Sequence, residues 1–359
     1  MQDFGDYKTH LLIMSENQIY SLMINVGVLG ATGAVGQRFV QLLANHPWFN
    51  LTTLTASERS AGKTYGSVVN WRLDSPFPES VGELVVSPTT VDAVKDCDIV
   101  FSAMPADIAT KLESDIADAG VGVCSNASSH RMTEDVPLMI AEVNPEHAAL
   151  IDVQREKRDG FIVTNPNCST IMLATALAPL RKFEFTNINV ATMQAISGAG
   201  FDGVPAFGIY DNVIPYIGGE EEKMAREANK ILGTFENGKI TGAPFTVSAS
   251  CNRVPVIDGH TLNVWIDVKA SVDEVIDAFK TWEAPFKGLP TQPEKSVLYL
   301  DDDNRPQPRL DRNRGNGMTV SVGRVREGIR FVAMGHNTIR GAAGASVLNA
   351  ELLHTLKYI

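Results

Sequence analysis

Apolar positions along this chain fall into two regimes. From Met23 the run Ile24-Asn25-Val26-Gly27-Val28-Leu29 is β-prone, and Val35, Phe39, Leu42 and Leu43 then recur at the spacing of one helical face. Leu51 to Thr55 reads as a second strand, and Cys97 to Ser102 as a buried strand closing on a small-residue loop. A helix from about Asp107 to Ala119 and a short strand over Val121 to Asn126 follow. Strands that alternate with helices in this way predict a parallel, doubly wound sheet.

The texture changes near residue 161. Phe161 to Thr164 is a short strand, and Thr170 to Leu177 carries helix-compatible apolar residues up to Pro179. Asn187 to Ala195, Thr261 to Val268, Thr319 to Val325 and Ile329 to Met334 alternate like half-exposed strands. Between them Glu220 to Leu232 reads as a helix, as does Ser271 to Trp282, which Ser271 and Glu274 open with a capping box. Mixed antiparallel strands with helices predict a sheet covered on one face. The fold class is therefore α/β: an N-terminal Rossmann-like domain (23–164), where a coenzyme is expected, and an α+β domain with a mixed sheet (165–340). Ala342 to Tyr358 reads as an amphipathic helix, so that 341–359 is expected to pack back on the first domain and complete it. Residues 1–22 are expected to be a flexible extension. The polar stretch Asp301 to Gly317 is expected to be a long solvated or subunit-contacting loop.

Charge and cysteine content narrow the function classes. A net charge of −11 over 359 residues argues against a nucleic-acid surface and an anionic membrane face, since both call for clustered Lys and Arg. No apolar run reaches bilayer length, and Asp3, Asp6 and Glu16 are foreign to a secretory signal. Cys97, Cys124, Cys168 and Cys251 show no CxxC pair and no ligand-like spacing to His, so neither a metal site nor a disulfide framework is expected. A reducing cytoplasm is the corresponding expectation.

Two segments carry candidate chemistry. Gly30-Ala31-Thr32-Gly33-Ala34-Val35-Gly36, between a strand and a helix, is a dinucleotide turn in which glycines let the backbone approach a pyrophosphate over a helix N-terminus. The loop after the second strand holds Ser57, Arg59, Ser60 and Lys63 where NAD enzymes place an acid on the ribose hydroxyls; donors and positive charge there favour NADP. Glu58 is the dissenting residue in that loop. Ser102 and Ala103 end a strand whose loop faces the coenzyme. In Asn165-Pro166-Asn167-Cys168-Ser169-Thr170 a cysteine stands at a helix start, where free N–H groups and the helix dipole favour a thiolate. The alternative for Cys168 is a small buried hydrophobe.

These segments, together with Gln194-Ala-Ile-Ser-Gly-Ala-Gly200, Glu220-Glu-Glu-Lys223, Arg253 to His260 and His336-Asn-Thr-Ile-Arg-Gly341, occur in an order that resembles the aspartate-β-semialdehyde dehydrogenase family. The resemblance is closest to its archaeal and fungal branch and runs from Met23 to the C-terminus. It implies NADPH-dependent reduction of 4-phospho-L-aspartate to the semialdehyde through a Cys168 thioester, a step in lysine, threonine, methionine and isoleucine biosynthesis. By resemblance His260 exchanges the proton, with His336 as its competitor, and Gln194 orients the acyl intermediate. Arg253 takes the α-carboxylate and Glu220 the ammonium, while Arg131, Asn167 and Lys223 form the phosphate set. Ser197, Gly198 and Asn337 line the nicotinamide pocket. Read without the resemblance, Glu220 and Lys223 are an i,i+3 pair on a solvated helix face. The resemblance also implies a homodimer or homotetramer. Malonyl-CoA reductase and N-acetylglutamyl-phosphate reductase of the same structural group are the rival enzymes. A redox-sensing NADP-binding protein, in which Cys168 reports oxidation, is the rival from another class.

Overall fold

Strand β1 (Ile24–Leu29) lies at the centre of a parallel sheet because its residues are almost wholly apolar and buried on both faces. The protein's structure, a computed structural model, describes residues 23–359, and the extension expected over 1–22 lies outside them. Helix α1 (Ala34–Leu43) follows β1, and β2 (Phe49–Ala56), β3 (Val86–Pro88) and β4 (Ile99–Ser102) come next. Helix α2 (Ala106–Asp118), β5 (Gly122–Ser125) and β6 (Phe161–Thr164) complete this half. The sheet order β3-β2-β1-β4-β5-β6 reverses direction at β1, so the glycine turn opens at the switch point between β1 and β4, where doubly wound folds bind ligands.

The second sheet gathers six strands in the order β10-β7-β11-β14-β13-β12. They are β7 (Phe185–Gln194), β10 (Thr246–Arg253), β11 (His260–Val268), β12 (Val297–Leu300), β13 (Val320–Arg326) and β14 (Arg330–Gly335). Strands β8 (Thr234–Glu236) and β9 (Lys239–Thr241) form a separate ribbon. Helices α3 (Cys168–Leu177), α4 (Glu220–Ile231) and α5 (Val272–Thr281) supply apolar side chains to the core over one face. The Ser271–Glu274 capping box of α5 is formed on both sides.

Topology delivers the chemistry. β10 runs parallel to β7 with Arg253 opposite Gln194, and β11 runs antiparallel to β7 with Thr261 opposite Met193. Gln194, Arg253 and His260 therefore reach the same end of the sheet. β10 has no counterpart among the expected strands. Its Thr-Val-Ser-Ala-Ser-Cys-Asn-Arg sequence lacks bulky β-branched residues beyond Val247, and an edge strand with half-exposed side chains needs few.

Two expectations are corrected. The last helix, α6 (Gly344–Thr355), is not amphipathic: Gly344 to Leu353 are all buried. Val347, Leu348, Leu352 and Leu353 enter the N-terminal core while Ala345 enters the C-terminal one, so both faces are covered. The stretch 301–317 is not simply a solvated loop. It folds over the buried carboxylate of Asp311, which accepts from the Gln307 N–H and from the guanidinium groups of Arg305 and Arg314.

Three histidines of the coenzyme half serve the core. His46 meets Glu351 of α6 at 2.9 Å, His130 lies 3.7 Å from the buried Glu113, and His147 takes a hydrogen bond from Asn144 on Nδ1 at 2.8 Å. Burial is the main force holding His147 down to about 4; the charges of Lys230 and Arg181 add to it and the Gly233 carbonyl opposes. The folded state thus favours neutral His147, whose stabilisation is present above the unfolded value of about 6.5 and is lost as pH falls toward 4, on the order of 3 kcal/mol. Urea midpoints should fall between about pH 7 and about pH 5, and fall less in His147→Gln; equal falls in both proteins would show that His147 is not a source.

Candidate active site

Cys168 is the first residue of α3, and Asn167 is its N-cap: Oδ1 accepts from the N–H groups of Ser169 and Thr170 at 3.0 and 3.2 Å. Every residue of α3 after Cys168 is buried, so the helix holds the cysteine against the cores of both halves. Cys168 itself is half-buried on a cavity of about 230 Å³ that it shares with Ala34 and Val35 of α1, Asn126, Arg131, Ser197, Gly198, Asn337 and Gly341. A Cβ at Gly341 would lie 2.8 Å from the Cys168 Cβ, so only glycine lets the segment before α6 close on the cysteine.

The sulfur stands 3.2 Å from His260 Nε2, and His260 Nδ1 accepts from the Ala195 N–H at 3.0 Å. His336, the competing histidine, is buried and takes a long contact from Thr338 N–H instead. Desolvation pushes the Cys168 thiol up to about 12; Glu220 adds to this, while Arg131, Arg253 and the Ser169 N–H oppose it. The helix start that favours a thiolate is present, and loss of water and a nearby carboxylate oppose it. Burial, and then the charges of Arg253 and His336, hold His260 down to about 3.

Charged groups surround this pair. Arg253 is buried with Nη1 donating to the Ala195 carbonyl at 2.8 Å, and a Cβ on Gly198 would come within 2.7 Å of that nitrogen. Glu220 opens α4 and is buried; Asn167 Nδ2 donates to its two oxygens at 2.9 and 2.8 Å, with Gln194 Nε2 at 3.5 Å and Lys223 Nζ at 3.4 Å. Asn167, expected among the phosphate ligands, bonds the helix start through its oxygen and Glu220 through its nitrogen. Asn337 joins the Gly259 N–H to the Ser197 hydroxyl, both at 2.8 Å, and so pins the 196–199 turn beside His260.

Three participants escaped the sequence reading. Glu227 of α4 accepts from Arg131 Nη1 at 2.9 Å and from the Asn167 N–H at 2.7 Å. Lys230 donates to the carbonyls of Arg131, Thr133 and Val136 at 2.7–2.9 Å. Asn126, beside Arg131 in the cavity wall, has both side-chain polar atoms buried and unpartnered. A signal for the first two did exist: Glu220, Lys223, Glu227 and Lys230 repeat at helical spacing on one stripe. That stripe reads as solvent-facing, yet Glu220, Glu227 and Lys230 are buried.

The coenzyme elements flank the same cavity. Gly30 takes φ +77°, and a Cβ on Gly36 would lie 2.1 Å from the Gly30 carbonyl, so the turn is a close backbone cradle at the α1 N-terminus. The N–H groups of Gly30 and Ala31 bond the Thr55 carbonyl, which brings the 57–63 loop beside the turn. Ser57, Arg59 and Lys63 are exposed there, Ser60 is half-buried, and Lys63 Nζ donates to the Arg59 carbonyl at 2.8 Å. Glu58 points to solvent. Ser102 ends β4 fully buried beneath Ala103. The cradle and the cationic loop together fit a phosphorylated dinucleotide. Among the described residues no group of three or more His, Cys, Asp or Glu side chains is gathered as for a metal ion.

Comparison with known proteins follows this geometry. The family model described as semialdehyde dehydrogenase, NAD binding domain, matches residues 25–151, and that described as semialdehyde dehydrogenase, dimerisation domain, matches 177–340. An aspartate-semialdehyde dehydrogenase of Archaeoglobus fulgidus is 54% identical over 343 residues, which cover 93% of this chain and 99% of that protein. One from Saccharomyces cerevisiae is 46% identical over 352 residues, 91% of this chain and 96% of that protein. The structure of aspartate semialdehyde dehydrogenase with NADP from Candida albicans superposes with a TM-score of 0.86 at 41% identity, over 94% of this chain and all of that one.

Proposed function

Because this chain belongs to the aspartate-semialdehyde dehydrogenase family, we propose how its residues divide the labour of reducing 4-phospho-L-aspartate to L-aspartate 4-semialdehyde and phosphate. The observation that carries the reading is the Cys168 sulfur 3.2 Å from His260 Nε2, beside a cavity that Cys168 shares with Arg131, with the charges of Glu220 and Arg253 close enough to act on the sulfur. Cys168 attacks the acyl carbon and forms a thioester as phosphate leaves. NADPH supplies the hydride that releases the aldehyde. His260 is the proton-handling partner of the sulfur.

Binding follows charge. Arg253 offers a fork to the α-carboxylate and Glu220 a carboxylate to the ammonium, with Gln194 beside the acyl group. Arg131, Lys223 and Asn126 receive the phosphate, and Asn167 serves by capping α3 and orienting Glu220. Ammonium binding also neutralises Glu220, a charge that opposes thiolate formation at Cys168. For the coenzyme, the backbone of Gly30, Thr32, Gly33, Ala34, Val35 and Gly36 receives the pyrophosphate, while Ser57, Arg59, Ser60 and Lys63 receive the 2′-phosphate. Ser102, Ala103, Ser197, Gly198 and Asn337 enclose the nicotinamide end. We assign 23–164 with 341–359 to coenzyme binding and 165–340 to catalysis and assembly. The relatives are named for the aspartate semialdehyde, which sets the malonyl-CoA reading aside.

Segment 205–216 exposes Phe207, Tyr210, Val213 and Tyr216 together, an apolar surface that suits a second copy of the chain in a homo-oligomer, as a dimer or tetramer. No helix among the described residues is long and apolar enough to cross a membrane, and the assignment to the cytoplasm rests on this chemistry and on the free cysteines.

With L-aspartate 4-semialdehyde, NADP and phosphate, the reverse reaction should form NADPH, and only when phosphate is present. Activity on malonyl-CoA without it would sink the assignment. Arg59→Ala should weaken NADP binding by about 10- to 100-fold, the loss of one charge-assisted contact, and change NAD binding little; equal losses would place the 2′-phosphate elsewhere. Sedimentation velocity should show an oligomer that Phe207→Asp shifts toward the single chain, and an unshifted oligomer would assign the interface to another surface.

A further inference from the structure

A second cavity, of about 300 Å³, meets the Cys168 cavity at Ala34, Ser197, Gly200 and Thr338 but is lined by neither Cys168 nor Arg131. The rest of its wall is charged. Arg38 comes from α1, Arg72 and Asp74 from the segment between β2 and β3, Asp258 from the segment before β11, and Arg312 from the stretch after β12. Both halves of the chain therefore build it. The three arginines are held in place without being used up. Arg38 is buried; Nε donates to Thr338 Oγ1 at 3.1 Å and Nη1 to Gln41 Oε1 at 3.0 Å, while the carboxylate that faces it, Asp74 at 3.6 Å, is largely exposed. No acceptor among the described residues bonds its Nη2. Arg72 lies over the Phe201 ring at 5.2 Å with Nη1 on the Phe201 carbonyl at 3.3 Å, and its backbone N–H is fixed by Gln37 Oε1 at 3.0 Å. Arg312 Nη1 reaches the Asp258 carbonyl at 3.3 Å. Each guanidinium is a rigid fork of N–H donors, so several remain for an acceptor in the cavity, and a buried cation such as Arg38 calls for an anion. Burial above all holds the neighbouring His336 down to about 4; Asp258 and Asp74 oppose and Arg38 and Arg312 add, so the same four charges converge on one ring.

We infer that this cavity is a second small-molecule site, for a free amino acid with an acidic side chain. The three guanidinium groups of Arg38, Arg72 and Arg312 against the two carboxylates of Asp74 and Asp258 leave one positive charge. A ligand with two carboxylates and one ammonium carries one negative charge and finds a partner for every group: its carboxylates take the arginine forks and its ammonium takes an aspartate. A dianion without an ammonium would meet the aspartates unfavourably, and a cation would meet the arginines. The cavity is separate from the cysteine chemistry, and its occupancy does not depend on which reaction Cys168 performs.

Calorimetric titration of the full chain, loaded with NADP, with L-glutamate tests this. L-glutamate should bind, and Arg72→Ala and Arg312→Ala should each weaken it by about tenfold or more, the loss of one charge-assisted contact. Glutarate, which has both carboxylates and no ammonium, should bind about tenfold more weakly than L-glutamate. No binding at millimolar L-glutamate overturns the inference; equal binding of glutarate removes the role given to the aspartates, and unchanged binding in both arginine variants places the ligand elsewhere. Arg72 is exposed and Arg312 half-buried, so both variants should keep the native thermal midpoint, which shows that a loss of binding is not a loss of fold. Crystals of the native chain with NADP, soaked in L-glutamate, should show the amino acid between Arg38, Arg72 and Arg312. Coenzyme atoms in that position, or L-glutamate only beside Arg253 and Glu220, would overturn the assignment.

Discussion

Asn167 is the junction on which the site depends. Its side-chain oxygen caps α3 and so fixes Cys168 in the first turn; its side-chain nitrogen holds Glu220; its backbone N–H bonds Glu227, which in turn holds Arg131. One residue thereby links the end of the parallel sheet, the nucleophile, the helix that carries the acidic side chains and the loop that carries a cation. Such a buried network has value only when every member is satisfied, because each unpaired charge in that environment would be costly. Lys230 extends the same logic by spending its ammonium on three backbone carbonyls of the 131–136 loop, and desolvation lowers it to about 8.

The electrostatic consequence is a cysteine whose thiol form is favoured. A helix start, two arginines and a hydrogen-bonding histidine all favour a thiolate, yet desolvation and Glu220 prevail without substrate. In the proposed reading, the ammonium of an amino-acid head group would offset Glu220 where the carboxylate acts on the sulfur. The Ala195 N–H, bonded to Nδ1 at 3.0 Å, fixes the ring of His260 with Nε2 toward the sulfur.

The two halves meet through small residues and a buried helix. Gly341 admits the chain against Cys168, Gly36 admits α1 against the turn after β1, and α6 contributes to both cores. Just before α6, Arg340 is completely buried and pairs with Glu142 at 2.8 and 2.9 Å, with Thr175 of α3 also bonded. Breaking such a buried pair by removing one partner is strongly destabilising, so the segment behind the nucleophile is anchored from the coenzyme side.

The linear pattern determined much of this protein. Period-2 and helical spacing located the main strands and helices, the glycines from Gly30 to Gly36 marked the coenzyme turn, and Cys168 stood out by its place before an apolar helix. These are local properties, set by backbone geometry and the side-chain period, and so they are written in neighbouring residues. What only the tertiary structure decided was which polar groups face inward. The charged stripe of α4 reads as solvated because its partners, Asn167, Arg131 and the 131–136 carbonyls, lie far away along the chain. The helix α6 reads as amphipathic because nothing local announces that a second core covers its other face. The 3.2 Å approach of His260 Nε2 to the Cys168 sulfur likewise came from strand register. Pairings of that kind depend on distances between elements, and sequence spacing carries no record of them.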